Sequence, residues 1–321
     1  MKIKKMLVTL TAFMLGTSLV LAGCFDGAVE ENVPNNTVTE TKGAEYTKLL
    51  SGTDWQGTTV KDAAGTDLTT ENANFIGLAK YDGETNYYEF FDKETKATRG
   101  DEGTFFVTAD GTKRILISTS NNYQAVVDIT QMTKDVFTYK RQGKDKAGND
   151  VEVFVEHIPY TESALSFTNK RDEMTTTTGT IETAEPGRVL LGSKLWNGTV
   201  VKDANGNDVT DANQMFISLA KFDADTNRYE FFNLETGETR GDYGYYDVIL
   251  KNKIRTHVSL GENKYGAVLE LTELNPQRFT YKRTGKDANG NDIDVFVEHE
   301  PYTGSFNPTF TTINNNNNNN A

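Results

Sequence analysis

The sequence predicts an all-β protein built as two tandem eight-stranded antiparallel up-and-down barrels, and three observations predict it. The chain repeats itself at long range. Each copy is a series of short alternating runs separated by turn residues. Connections are short throughout, and no segment holds a sustained helical period.

The repeat decides the organisation. "DWQGTTVKDAAGTDLT" from Asp54 aligns with "LWNGTVVKDANGNDVT" from Leu195, an offset of 141 residues. "FTYKRQGKDKAGNDVEVFVEHIPYT" from Phe137 aligns with "FTYKRTGKDANGNDIDVFVEHEPYT" from Phe279, an offset of 142. One residue is therefore gained in between, and the turn near Gly261 and Glu262 is the expected place. The copies span 48–162 and 189–304. Solenoid units are about 20–50 residues long, so this period means two whole domains.

In the first copy the alternation predicts strands over 54–61, 74–81, 86–92, 103–109, 112–118, 123–130, 135–142 and 150–158, with a short helical turn near Thr69–Asn74. Asp110-Gly111, Asn121-Asn122, Gly148-Asn149 and, in the second copy, Asn289-Gly290 supply the positive φ of tight hairpins. A sandwich with long crossovers is the alternative. Short connections favour closure into a barrel, which removes the sheet edges.

Outside the copies, Lys2, Lys4 and Lys5 precede an apolar run from Met6 to Leu21, and the run ends in Leu21-Ala22-Gly23-Cys24. Residues 1–23 read as a secretory signal. The ending resembles the lipobox of bacterial lipoproteins. That resemblance implies cleavage before Cys24, lipidation of its thiol, and a protein held by lipid at the outer side of the cytoplasmic membrane. Cys24 is the only cysteine, so no intramolecular disulfide supports the fold. Residues 24–47 read as a flexible lipidated spacer, 163–188 as a linker, and 305–321, with asparagine at 314–320, as a disordered tail. "SLVLAG", Ser18 to Gly23, also resembles a peptide pheromone that enterococci release from lipoprotein signals.

Gly52, Trp55 and Gly57, and again Gly192, Trp196 and Gly198, resemble the start of lipocalin and calycin barrels. "VVDITQMTKDVFTYKR" and "VLELTELNPQRFTYKR" are similar to late strands of bacterial lipocalin-like domains. The resemblance implies that Trp55 and Trp196 plug one barrel end, with Arg141 and Arg283 packed over them. The whole chain also resembles tandem-domain lipoproteins of Gram-positive bacteria, a family of unknown function.

The formal charge is −13, and loss of residues 1–23 with their three lysines leaves −16. A basic patch for nucleic acid or anionic headgroups is therefore not expected. The three histidines are His157 and its repeat counterpart His299, and His257, whose counterpart is Leu116. With no nucleophile elbow, no His-Glu-x-x-His and no marked carboxylate pair, no catalytic residue, metal or cofactor is assigned. The loops at Asp62, Asp145, Asp203 and Asp287 place glycine fourth, where a calcium loop of the EF-hand type needs it sixth, and read as Asx turns. Inward aromatics either line a cavity or fill the barrel. "TRGD" occurs at Thr98–Asp101 and Thr239–Asp242, inside a longer duplicated frame. It reads as a structural loop between the third and fourth strands, with Arg99, Asp101, Arg240 and Asp242 as loop candidates.

The functional expectation is a lipid-anchored, extracytoplasmic, non-enzymatic binder of a small amphipathic ligand or envelope component. Its rivals are an adhesion module that uses the outer Arg-Gly-Asp loops, an envelope enzyme, and a pheromone precursor. No protein partner is assigned.

Overall fold

The computed structural model describes residues 40–169, 181, 183 and 185–313. The first barrel comprises β1 (Asp54–Asp62), β2 (Leu78–Asp82), β3 (Tyr87–Phe91), β4 (Thr98–Val107), β5 (Lys113–Ser118), β6 (Tyr123–Met132), β7 (Phe137–Lys144) and β8 (Asp150–Tyr160). The second comprises β9 (Trp196–Asp203), β10 (Leu219–Asp223), β11 (Arg228–Phe232), β12 (Thr239–Ile249), β13 (Ile254–Ser259), β14 (Tyr265–Asn275), β15 (Arg278–Lys286) and β16 (Asp292–Pro301). Each strand pairs antiparallel with the next, and β8 on β1 and β16 on β9 close the circles. The extra residue of the second copy lies between Ser259 and Tyr265, which pair across the β13–β14 turn as Ser118 and Tyr123 do across β5–β6.

Alternation builds the barrels as the sequence predicts. On β8, Val153, Val155 and His157 are buried and Phe154 and Glu156 between them are less so. Inward residues form one core per barrel, around Trp55, Phe105 and Phe137 in the first and Trp196, Tyr246 and Phe279 in the second.

Two helices were not expected from the sequence. α1 (Lys42–Ser51) occupies the end of the expected spacer, with Gly52 as its C-cap. The Thr41 hydroxyl accepts from the Ala44 amide at 3.2 Å and caps its start. Gly43 lies so close to β4 that a Cβ there would sit 2.2 Å from the Thr108 carbonyl oxygen. α2 (Gly187–Gly192) is its counterpart in the second barrel, without a side-chain N-cap. The tryptophans tie the helices down: Trp55 Nε1 donates to the Leu50 carbonyl and Trp196 Nε1 to the Leu191 carbonyl, both at 2.9 Å. The expected helical turn is a 3-10 turn at Ala73–Phe75, longer in the second copy at Thr210–Phe216.

The segments after β8 and β16 fold back onto their barrels. The Thr168 amide donates to Glu89 Oε2 at 2.7 Å, and the Thr311 amide to Glu230 Oε2 at 2.6 Å. Both glutamates are fully buried. Residues 163–169 are thus a strap and not free linker, and residues 305–313 are a second strap and not disordered tail. Residues 314–321, like the signal segment, Cys24 and most of the spacer, lie outside the described residues.

The barrels share a third core. Phe106, Ile115, Ile117 and Val126 on the outer face of the first pack with Tyr245, Val258 and Leu260 of the second. The Ala109 amide donates to Asn227 Oδ1 at 2.6 Å across the contact. β5 and β13 are consequently buried on both faces. Among the described residues, no helix is long and apolar enough to cross a membrane.

Candidate functional site

A cavity of about 230 Å³ opens in the first barrel, from the turn at Asn74–Phe75 and the start of β4 down to Arg114 and His157. Alternation along β5 turns Arg114, Leu116 and Ser118 inward and Ile115 and Ile117 outward to the shared core. Arg114 is 3% exposed. Its Nη1 donates to the Tyr81 hydroxyl at 2.6 Å, and its guanidinium lies 4.6 Å from the Tyr139 ring centre. Its Nε has no partner.

Two further arginines line the same space. Half-buried Arg141 stacks on Phe75 at 4.0 Å. Arg99, at the rim, donates from Nη1 to the Asn74 carbonyl at 2.9 Å. None of the three meets a carboxylate: among the described residues of the first barrel, every ion pair is made by a lysine. The cavity's one carboxylate, Asp101, accepts from the Tyr88 hydroxyl at 2.9 Å and from the Tyr123 hydroxyl. His157 stacks against Phe137 and Tyr139. Burial, then the Arg114 charge, push it down to about 3, so it is neutral at pH 7. Burial pushes the Tyr81 phenol up to about 12. Three cations against one anion leave the cavity net positive inside a strongly acidic chain.

The Arg-Gly-Asp tripeptides lie inside β4 and β12 and not in a connecting loop. Phe90 pairs with Asp101 and Phe91 with Thr98, so Arg99 and Gly100 bulge out of register. Gly100 and Gly241 hold φ of +66° and +71°, which favour glycine. The bulge turns the aspartate inward. Asp242 accepts from Tyr229 at 2.8 Å and Tyr265 at 2.7 Å, and Arg240 donates to the Met215 and Ile217 carbonyls, each at 3.0 Å. Both charged ends of each tripeptide are therefore engaged within their own barrel.

The tryptophans and arginines expected to pair are not in contact with each other in the way the resemblance implies. Trp55 and Trp196 are fully buried. They meet Phe137 and Phe279 edge-on, with ring centres 5.9 and 5.0 Å apart. Arg141 and Arg283 cover Phe75 and Phe216 instead of the tryptophans, because the 3-10 turn presents those rings to them. Arg114 and its counterpart Arg255 were missed. The one signal for Arg114 is a cation next to another (Lys113-Arg114) in an otherwise apolar strand, where alternation forces one of the two inward; Arg255, between Ile254 and Thr256, is marked only by its repeat position.

The acidic loops are Asx turns. Asp62 Oδ1 accepts from the Ala64 and Thr66 amides, and Asp145, Asp203 and Asp287 repeat the pattern. Among the described residues, no three His, Cys, Asp or Glu side chains gather to hold a metal.

Residues 47–167 and 188–310 match the model of a family described as "Domain of unknown function (DUF4822)". No curated protein matches the chain. One similar solved structure is a protein with unknown function from the DUF3598 family of Nostoc punctiforme. It is 9% identical, covers 80% of this chain and 98% of its own, and has a TM-score of 0.22, too low to carry an argument.

Proposed function

The chain belongs to the DUF4822 family, two copies of whose domain it carries, and from that premise we propose that it is a non-enzymatic binder whose first barrel holds a small amphipathic ligand by its anionic end. The single observation that carries this reading is Arg114, a cation 3% exposed with no carboxylate partner and an unpartnered Nε. A buried charge is costly unless paired and hydrogen-bonded. An anionic head on Arg114, flanked by Arg141, supplies the missing acceptor with charge-assisted bonds. Leu116, Ala125 and Phe90 line the same space and take the apolar part.

Size agrees with a small ligand. An engineered apolar cavity of about 150 Å³ binds benzene, so 230 Å³ suits an acid with a short or single-ring apolar body. The adhesion reading has no observation in its favour, because its arginines and aspartates are occupied. Placement at the outer side of the membrane by lipid on Cys24 completes the proposal and rests on the sequence alone.

Native mass spectrometry of the protein released from its producing cells tests the reading. A small organic acid carried by wild type and lost in Arg114→Met supports it. Apo protein in both, with no acid taken up on addition, sinks it.

A further inference from the structure

The second barrel repeats the cavity lining with few changes. Arg240, Asp242, Arg255, Ala267, Tyr281, Arg283 and His299 stand where the first has Arg99, Asp101, Arg114, Ala125, Tyr139, Arg141 and His157. At the rim Met215 and Ser218 replace Asn74 and Gly77, and two further changes act on the buried arginine and its strand. Phe222 replaces Tyr81, and His257 replaces Leu116.

The first change removes an acceptor. Arg114 donates to the Tyr81 hydroxyl. Arg255 faces the Phe222 ring instead, 5.9 Å from its guanidinium, and both its Nε and Nη1 are buried without a partner. Arg255 is only 2% exposed. No carboxylate pairs with it among the described residues, where the arginine ion pairs are made by Arg188 and Arg278.

The second change adds a bare acceptor. The Tyr265 hydroxyl donates its one proton to Asp242 at 2.7 Å. The contact of 3.2 Å between His257 Nε2 and that hydroxyl oxygen must then be donated by the histidine. This places the imidazole proton on Nε2 and leaves Nδ1 as a lone pair, buried and unpartnered. The two unsatisfied groups are neighbours. Arg255 and His257 point the same way from β13, and the Arg255 guanidinium and the His257 ring lie 6.0 and 6.2 Å from the Phe231 ring centre. Histidine is no bulkier than leucine, so the replacement changes chemistry more than space.

We propose that the second barrel is a distinct site for a small hydroxycarboxylate, with its carboxylate on Arg255 and its hydroxyl donating to His257 Nδ1. The first barrel, with Leu116 at that place, takes an acid with an apolar flank. The chain is then a two-site binder with one specificity per barrel. This rests on the reading of the first barrel as an anion site, but its chemistry is set by different residues.

Phenylacetate and mandelate, which differ by one hydroxyl, are matched probes for calorimetric titration of the full chain. Expected are phenylacetate binding that Arg114→Met abolishes, and mandelate binding that Arg114→Met spares. His257→Leu restores the residue the first barrel already tolerates. It should weaken mandelate at least tenfold and leave phenylacetate unchanged. Phe222→Tyr, which gives Arg255 an internal acceptor, should also weaken mandelate. Mandelate binding indifferent to His257→Leu, or mandelate that fails to bind while phenylacetate does, overturns the second site alone. Neither acid binding wild type overturns both readings.

Discussion

Arg114 Nη1 donates to the Tyr81 hydroxyl at 2.6 Å, inside a barrel, and forms no ion pair with the cavity's one carboxylate, Asp101. The pair shows how the first barrel tolerates a buried cation: one neutral acceptor, two aromatic faces and an open cavity. A buried cation without an ionic partner is held at the expense of stability. Arg114→Met should stabilise the ligand-free protein, by about 1–4 kcal/mol, while it removes anion binding. Tyr81→Phe should destabilise it by about 1–3 kcal/mol, since a buried donor is orphaned. Urea denaturation of the three proteins checks both signs.

Asp101 and Asp242 each accept from two tyrosine hydroxyls in part-buried contacts. Asp101→Ala should cost about 2–5 kcal/mol, because two donors lose their acceptor together. A surface recognition aspartate would change stability by less than about 0.5 kcal/mol. Thermal denaturation separates the two cases.

Acid should weaken the fold through its histidines. Burial depresses His157 and His299 from 6.5 to about 3. Between those values the unfolded chain binds protons that the folded one refuses. Their contribution is full above pH 6.5 and falls as pH drops toward 3, by about 1.4 kcal/mol per pH unit for each histidine. Asp247 works the other way: burial, opposed by Arg188, raises it to about 7, so the folded state keeps a proton that the unfolded state releases above 3.8. Comparison with His157→Phe isolates one histidine. Its stability curve should lose about 1.4 kcal/mol per pH unit of slope between pH 3 and 6.5, and an unchanged slope refutes the assignment.

The shared core makes the barrels cooperative. Val258 is fully buried there and Gly266 lies against Ile117, where a Cβ would come within 2.8 Å of the isoleucine side chain. Wild type should unfold in one calorimetric transition. Val258→Asp buries an unpaired charge at the contact and should split the trace into two. A single transition in the variant would show that the contact does not couple the barrels.

The duplication, the strand series, the hairpin turns and barrel closure were all legible in the sequence, because each depends on local chain chemistry: period-two alternation, glycine and Asx at turns, short connections. The inserted residue fell in the β13–β14 turn, as the change of offset implied. The straps were not legible. Their anchors, Glu89 and Glu230, are buried only because a segment distant in the chain folds over them. α1 was missed because its N-cap threonine sits in a polar stretch with few apolar residues, and its helical form is paid for by the barrel end that it closes. The cavity depended most on tertiary structure. On β5, Ile115 and Ile117 are the apolar pair that alternation alone would send inward. They face outward because a second barrel covers them, and that contact leaves Arg114 and Leu116 to line the interior. The sequence by itself determined two closed barrels. Which face of β5 and β13 is the inside, and hence that each barrel encloses a cation, was decided by the packing of one barrel on the other.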